Sequence, residues 1–479
     1  MSNLRSMYGI RSAATIFTYM LQNVEYAPGP YVRWFWRTQD FSKVMYRRQL
    51  DLTKAARLIR LALIAGMTFQ LVMGLLLLAL WHWHGWMPGK YFGPILLVSY
   101  PLVWAHVVVA PLILGRELKV KPQQKKHITA SKQIFEKHSA VKIAIAGSYG
   151  KTSMKELLLT VFGEGKKVAA TPANKNVAIS HAHFARKLEG DEAILLIEYG
   201  EGEPGDVRRF SETTQPTHGI ITGLAPAHLD KYKTLQAAGE DIFSLADYLH
   251  GQNVYINAES LALQPFLKEQ YQTYSAADTL GWKVSNVDIR LQGTGFTLSK
   301  GKQKLAVHSQ LLGRHHIGPL SLAVALGLEL GLSEAQVKAG VAKTAPYEHR
   351  MFPYKLGGAW IIDDTYNGNI EGIRAGTALL AELPAKRKMY VTPGLVDQGN
   401  EAESVHVEMG KLIAAAKPDK VVLMQNSATK HIQAGLESAG YQGEVQVETQ
   451  PLDFYQNLEQ YVAAGDLVLM QNDWTDNYA

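Results

Sequence analysis

The chain has 479 residues, 47% of them hydrophobic and 19% charged, with a formal net charge of +6. That length accommodates two or three domains with their own cores, and the composition excludes a disordered chain. With no cysteine present, disulfides, a thiolate nucleophile and a Cys-ligated zinc site are excluded, and a reducing cytoplasm is compatible.

In chain order, residues 1–56 read as a basic, cytoplasmic N-terminal segment. The first sixty residues carry ten Lys or Arg against three acids, Glu25, Asp40 and Asp51. Such charge suits nucleic acid or an anionic membrane, and the long apolar runs beyond residue 60 favour the membrane and no nucleic-acid partner. Leu61–Trp81 runs 21 residues and Tyr91–Gly115 runs 25 residues without a charge, each enough to cross about 30 Å of hydrocarbon as a helix. Trp83, Trp86 and Tyr91 lie in or beside the intervening loop, as expected at a lipid–water boundary. Arg47, Arg48, Lys54, Arg57 and Arg60 precede the pair and Arg116, Lys119, Lys121, Lys125 and Lys126 follow it, whereas the loop holds only Lys90. Residues 57–115 are therefore predicted to form a transmembrane helical hairpin in the cell (inner) membrane, with both ends and the later domains cytoplasmic. A signal peptide is disfavoured, because the first apolar run starts near residue 61. Pro94, Pro101 and Pro111 predict a kinked or re-entrant second segment, in which the His106 imidazole is expected to face the partner helix.

Residues 116–139 read as a basic linker that becomes a helix. Residues 140–345 alternate short apolar runs (Val141–Ala146, Ala193–Ile197, His218–Thr222, Val254–Asn257) with helical patterns, which predicts a parallel α/β sheet. A small antiparallel patch is expected over 281–312 and a helix over Pro319–Leu330. A second α/β series occupies 346–479, with candidate strands Trp360–Asp363, Met389–Thr392, Lys420–Met424 and Leu467–Met470.

The sharpest local signal is Val141-Lys-Ile-Ala-Ile-Ala-Gly-Ser-Tyr-Gly-Lys-Thr-Ser153. A buried strand runs into Gly147, Ser148, Tyr149 and Gly150, then Lys151, Thr152 and Ser153 open a helical stretch to Phe162. Glycines let backbone N–H groups surround phosphate oxygens, and the following helix presents the positive end of its dipole. Lys151 is placed to neutralise β/γ-phosphates and the Thr152 hydroxyl to ligate Mg²⁺. Farther on, Glu198 ends a buried strand, where a lone carboxylate calls for a metal or cation. His228 also follows a strand, at the edge where α/β sheets bind ligands. Taken singly, Glu198 reads equally as a cap or ion-pair partner, His228 as a core histidine, Arg350 as a surface charge and Asp364 as a turn residue.

Further segments fall into an ordered series: Thr171-Pro-Ala-Asn174-Lys-Asn176, Leu196-Ile-Glu198-Tyr-Gly200, Glu203-Pro-Gly-Asp206, Ile221-Thr-Gly-Leu-Ala-Pro-Ala-His228-Leu-Asp-Lys-Tyr232, Asn257-Ala-Glu259 and Gly313-Arg-His315. Arg350, Asp363-Asp364-Thr-Tyr366-Asn367-Gly-Asn369 and Thr392-Pro-Gly394-Leu-Val-Asp-Gln-Gly399 with His406 complete it. Over about residues 140–475 this series resembles the Mur ligase family. The resemblance implies a P-loop central domain plus a C-terminal Rossmann-like α/β domain, and an ATP-dependent, ADP-forming ligase of cell-wall precursor synthesis. A substrate carboxylate (muramyl-peptide or lipid-linked) would be phosphorylated by ATP with Mg²⁺ and joined to an amino acid or a dipeptide of the D-alanyl-D-alanine type.

The resemblance further implies site roles. Lys151, Glu198 and His228 would be catalytic; Thr152, Glu198 and His228 would hold metal; residues 147–153, Asn257, Arg350 and Asp364 would contact nucleotide. Thr171, Asn174, Asn176, Tyr366, Asn367 and Asn369 would lie near substrate. Three departures stand out. Gly239 falls where the family's carbamate-forming lysine is expected, leaving Glu240 or Asp241 to supply a carboxylate, a differently held second metal, or lower activity. Asn369-Ile-Glu371 replaces the usual Asn-Pro, and the stretch after His315 lacks the usual asparagines. The hairpin stands where the family has a domain gripping a UDP-sugar. Other readings are a ligase acting on a lipid-linked or non-muramyl acceptor, a catalytically degenerate nucleotide-binding scaffold, and a tethered P-loop ATPase or kinase; the last predicts no Ala-His-Leu segment.

Overall fold

A computed structural model describes residues 2–24, 26–38, 40–44, 50–172, 175–225, 229–366, 368–396, 398 and 401–472. The chain divides into two compact units at Lys125/Lys126.

The first unit is helical. The N-terminal segment, read from sequence only as basic, folds into helices Ser2–Tyr8, Ile10–Asn23 and Pro28–Arg37. Its aromatic residues explain why: Phe17, Tyr31 and Trp34 are buried in one cluster with Leu63, Met67 and Tyr100 of the two long helices. The first long helix, Lys54–His84, starts on a Thr53 cap whose hydroxyl accepts from Ala56 N at 3.2 Å and ends at Gly85 with φ 66°. The second runs Met87–Val107, then Val109–Gly115 and a π-helical turn Arg116–Val120. It passes through Pro94 and Pro101 without interruption, and the break falls at Val108. The two helices meet through glycines. A Cβ on Gly74 would lie 2.9 Å from the Leu97 side chain, and one on Gly93 would lie 2.6 Å from that of Leu78. Between these contacts, Gln70 Nε2 donates to Leu96 O (3.2 Å) and Ser99 Oγ (3.1 Å). Small residues and one satisfied polar side chain are how apolar helices associate where hydrophobic burial gives no net drive. His106 does not face the partner helix; its ring packs edge-on against Phe35, 5.1 Å between centroids.

Both long helices are long and apolar enough to cross a membrane. Only 22% and 28% of their most apolar stretches are buried, and Phe69, Leu75, Phe92, Ile95 and Val98 are more than half exposed.

The second unit contains two sheets. The first holds β1 (Val141–Ala146), β2 (Val168–Ala170), β3 (Ile194–Glu198), β4 (His218–Ile221), β5 (Val254–Asn257), β6 (Gln272–Tyr274), β7 (Asp278–Thr279), β8 (Trp282–Arg290), β9 (Gly293–Lys300) and β10 (Gln303–Ser309). Their order is β10-β9-β8-β7-β6-β5-β4-β1-β3-β2, parallel from β2 to β6 and antiparallel from β6 to β10. Alternation along β1 puts Ile143 and Ile145 into the core beside helices Lys151–Phe162 and Ile317–Glu329. Ala144 and Ala146 enter the opposite core with Leu195, Ile197 and Ile242, as a doubly covered parallel sheet requires.

The second sheet comprises β11 (Phe352–Leu356), β12 (Ala359–Asp364), β13 (Arg387–Thr392), β14 (Lys420–Met424), β15 (Glu444–Glu448) and β16 (Asp466–Gln471), in the order β11-β12-β16-β13-β14-β15. All but the β11–β12 pair are parallel. Every strand expected from sequence is present within two residues, as is the antiparallel patch. The strands sequence reading did not single out are β2, β6 and β7, only two or three residues long, and the sheet-edge strands β11 and β15. The expected linker is helix from Lys121 to Lys137.

Because the protein has no cysteine, a Gln70→Cys/Ser99→Cys pair reports hairpin packing cleanly. We expect a short bifunctional thiol reagent, spanning the gap that the Gln70 side chain fills, to join the two thiols, and a further Gly93→Leu change to reduce the yield several-fold by forcing the helices apart; gel mobility measures both.

Candidate functional site

β1, β3, β4 and β5 end on one edge of the first sheet, and those sequence-selected residues of the central domain that are described gather there. After β1 the backbone turns at Gly147 (φ 140°) and Gly150 (φ 76°), conformations that side chains resist. At Gly147 a Cβ would also lie 2.4 Å from Thr222 Oγ1. The loop is moored to the end of β4: Ser148 N donates to Gly223 O at 2.8 Å, and the Thr222 hydroxyl donates to Ala146 O and Tyr149 O. Asn257, ending β5, donates to Thr222 O at 2.9 Å and so braces the same mooring. Helix Lys151–Phe162 starts directly at the loop, with its N-terminal dipole directed at it.

Five acidic and basic side chains organise the interior beside the loop. Glu198, 2% exposed, accepts at Oε1 from Thr152 Oγ1 (2.9 Å) and Asn176 Nδ2 (3.3 Å). Its Oε2 lies 3.1 Å from Lys155 Nζ, a fully buried ammonium. That approach lacks hydrogen-bond geometry, so both atoms remain without a hydrogen-bond partner. Lys155 also meets Glu156 Oε1 at 3.3 Å. Lys151 Nζ donates to Gly147 O and to Glu201 Oε2, the latter at 2.7 Å. The backbone of Glu198 is fixed as well. Its N–H donates to Thr171 Oγ1 at 3.0 Å, and its carbonyl lies 2.8 Å from His181 Nε2. Burial lowers the His181 pKa to about 4, so the ring is neutral near pH 7 and donates through Nε2–H.

Thus Gly147–Ser153, Thr171, Asn176, Glu198 and Asn257 come together at one edge. Asn174, His228 and Asn367 lie outside the described residues. Lys155 and Glu201 are the side chains sequence reading missed. The signal for Lys155 was its i+4 spacing from Lys151, which puts both on one helix face; Glu201 had only its place three residues beyond Glu198. Thr152 and Glu198 offer the hard oxygens that Mg²⁺ takes, through the Thr152 hydroxyl and Glu198 Oε1, while Glu198 Oε2 faces Lys155 Nζ at 3.1 Å.

At Gly239 a Cβ would lie 2.2 Å from the Phe266 ring, so that direction is filled by an aromatic. Glu240 is exposed and hydrogen-bonded by Gln236 at 3.0 Å. Asp241 is occupied by Tyr232 OH (2.7 Å) and Gly205 N (2.9 Å), and burial pushes its pKa up.

In the C-terminal domain, the Arg350 guanidinium stacks on Tyr366 at 4.5 Å. Asp364 accepts from Met351 N (3.2 Å) and Gln471 Nε2 (2.8 Å). Asn369 serves as the N-cap of helix Ile370–Glu382, accepting from Glu371 N and Gly372 N at 3.0 Å. Among the described residues, polar contacts between the domains include Tyr347 OH with Glu156 Oε2 at 3.5 Å and a two-pronged Arg314–Glu382 pair at 2.7 and 3.1 Å, and Leu312 packs into the core of the C-terminal domain. Burial also raises the pKa of the Tyr149 phenol, and the nearby charge of Glu371 adds to the shift.

Fold and site together define a two-domain α/β protein built around a glycine loop of phosphate-binding geometry. Residues 145–327 match the Mur ligase middle domain and residues 349–471 match the family's C-terminal module, described as "Mur ligase, glutamate ligase domain". Over these two domains the chain belongs to the Mur ligase family.

Among curated relatives, the UDP-N-acetylmuramoyl-tripeptide–D-alanyl-D-alanine ligase of Escherichia coli is 28% identical over 291 residues, 58% of this chain and 63% of its own length. The Bacillus subtilis protein of that name is 24% identical, covering 69% of this chain and 72% of its own length. The chain thus spans less than two thirds of the E. coli relative. Among solved structures, MurF from Acinetobacter baumannii superposes with a TM-score of 0.64 at 19% identity, covering 73% of this chain and 77% of its own. MurF ligase from Thermotoga maritima in complex with ADP gives 0.64 at 18% identity, covering 73% and 80%. These likenesses show the shared fold.

Burial of Asp364 raises its carboxyl pKa from 3.8 to about 6. The raised value means the unfolded state ionises first, so this group's contribution is unfavourable above pH 4 and the penalty is complete above pH 6. We expect the stability of Asp364→Asn relative to wild type to grow between about pH 4 and pH 6, by up to about 3 kcal/mol, and then stay constant; denaturant titrations across pH measure it.

Proposed function

We propose that this chain is an ATP-dependent, ADP-forming amide ligase of cell-wall precursor synthesis that couples a carboxylate to an amino acid or a dipeptide of the D-alanyl-D-alanine type. The observation carrying the proposal is the convergence of the Gly147–Ser153 loop, Thr152 and a buried Glu198 on one sheet edge, within a chain of the Mur ligase family. The E. coli and B. subtilis relatives, named for adding D-alanyl-D-alanine to a UDP-muramoyl tripeptide, support the amine assignment.

In the proposed reaction the loop's backbone N–H groups and Lys151 hold the phosphates of ATP while a substrate carboxylate attacks the γ-phosphorus in line, the bond from that phosphorus to the bridging oxygen breaks, and ADP leaves with an acyl phosphate formed. Thr152 and Glu198 would hold Mg²⁺, together with His228 by family resemblance; when bound, the ion offsets charge on the transferring group. Asn176 and Lys155 fix the Glu198 carboxylate, and Thr171 and His181 fix its backbone. The amine then attacks the acyl phosphate, the tetrahedral adduct expels phosphate, and an amide forms; positioning and charge neutralisation suffice, with no protein nucleophile. Arg350 and Asp364 are proposed to meet the nucleotide, and Tyr366 and Asn369 to lie near substrate, as the two domains close.

The helical first unit favours one refinement. Its two long helices expose apolar side chains over most of their surface. We propose that they form a hairpin in the inner membrane, with the ligase domains cytoplasmic. An anchored enzyme reaches a lipid-linked acceptor at high local concentration.

With full-length protein in vesicles, we expect amine-dependent phosphate release from ATP, faster with a lipid-linked peptide acceptor in the same bilayer than with a soluble UDP-linked one. Lys151→Ala should lower turnover by about 10²–10³-fold. Absence of amine-dependent turnover on any wall precursor would reject the ligase, and equal use of both acceptors would reject the membrane refinement.

A further inference from the structure

We propose that Glu201 makes the phosphate loop selective for nucleotide that arrives with a divalent cation; this rests on the nucleotide-binding reading above. Side-chain exposure is 6% for Glu201 and 11% for Lys151, and they meet at 2.7 Å. The phosphate-loop lysine therefore does not bring a free positive charge to the loop. One turn along the same helix, Lys155 is equally committed, 3.1 Å from Glu198 and 3.3 Å from Glu156. Two buried ammonium groups thus face three carboxylates before any phosphate enters.

A polyphosphate entering this pocket alone adds several negative charges to an interior whose cations are already taken. If Lys151 turns to the phosphates, Glu201 becomes a buried carboxylate without a counter-ion; if it stays, the phosphates lack their lysine. Either outcome is unfavourable in a low-dielectric setting. A divalent cation carried in with the phosphates removes the conflict by offsetting their negative charge, so that Lys151 can stay with Glu201. A loop lysine without such a partner would bind metal-free and metal-loaded nucleotide with less discrimination. Glu201 thereby sets which ionic form of the nucleotide the site accepts.

The test measures ADP affinity of the full-length protein by calorimetry, once in excess EDTA and once in excess Mg²⁺. The variants are Glu201→Gln, which keeps an acceptor for Lys151 but removes the charge, and Glu201→Asp, which keeps the charge. Glu203→Gln, on the same turn and paired with exposed Lys231, is the control. We expect Glu201→Gln to tighten metal-free ADP binding by about tenfold or more, while the Mg²⁺ value moves by less than about threefold. Glu201→Asp and Glu203→Gln should keep the wild-type ratio of the two affinities. The inference is overturned if Glu201→Gln leaves metal-free binding unchanged or weaker, or shifts both affinities equally, as a purely structural role would. Should wild type bind ADP under neither condition, the nucleotide reading itself falls. Should it bind equally under both, only this inference falls.

Discussion

The site depends on a buried carboxylate at the end of a strand. Glu198 closes β3 with 2% exposure, a position that would be very unfavourable for a charge without compensation. Three side chains meet the carboxylate and two more fix its backbone. Lys155 gives the opposite charge, Thr152 and Asn176 donate to one oxygen, and Thr171 and His181 hold the backbone on either side. Because those partners come from the helix after β1 and from the segment and helix Ala178–Ala185 between β2 and β3, Glu198 ties two crossovers of the sheet together. Removing Lys155 would leave an unpaired buried charge, a change that typically costs about 3–5 kcal/mol. The glycine loop is fixed in turn, since Thr152 is at once a loop residue and a Glu198 donor.

This dependence explains which parts of the molecule were legible in the sequence. The loop was legible because glycine takes positive φ far more readily than other residues, and Gly147 and Gly150 both adopt it. The central parallel strands were legible because burial on both faces makes them continuous apolar runs. β2, three residues long, carries no period to detect, and β11 includes Pro353, tolerated because the strand is at the sheet edge. Lys155 was invisible for a different reason. A lysine four residues after another in a helix ordinarily reads as a solvated face, and only the tertiary position of Glu198 turns it into a buried ion. The N-terminal helices escaped because their basic charge outweighed the aromatic pattern of Tyr31, Trp34 and Phe35 that buries them.

Some sequence-selected residues perform structural work in the fold. Asn369 caps a helix with two backbone N–H groups, satisfying donors that every helix start leaves open. His406 accepts from Leu395 N at 2.9 Å and so secures the turn around Gly394, whose φ is 91°. Asp364 is held by a backbone N–H and by Gln471, which is itself tied to Tyr390 OH at 2.9 Å. Such groups pre-set loop shapes at the carboxyl edge of the second sheet, where open α/β sheets place their ligands. Structural and ligand-facing roles are compatible at these positions, because a loop held by hydrogen bonds gives up less entropy when it meets a substrate.

The distribution of carboxylates around the loop follows from one packing choice. Gly239 lets the Phe266 ring seat against helix Leu235–Tyr248, and Phe266 stacks on Phe243 with centroids 5.0 Å apart. That aromatic contact excludes a long charged side chain at residue 239. The next two residues do not replace it, since Glu240 faces solvent and Asp241 is absorbed by Tyr232 and Gly205. The turn after β3 instead carries Glu201, three residues beyond Glu198 and in contact with Lys151. Negative charge near the loop is thereby concentrated on one strand end rather than divided between that strand and the helix. The Phe266 ring thus keeps residue 239 from adding a charged side chain, and the turn after β3 supplies the carboxylate that meets Lys151.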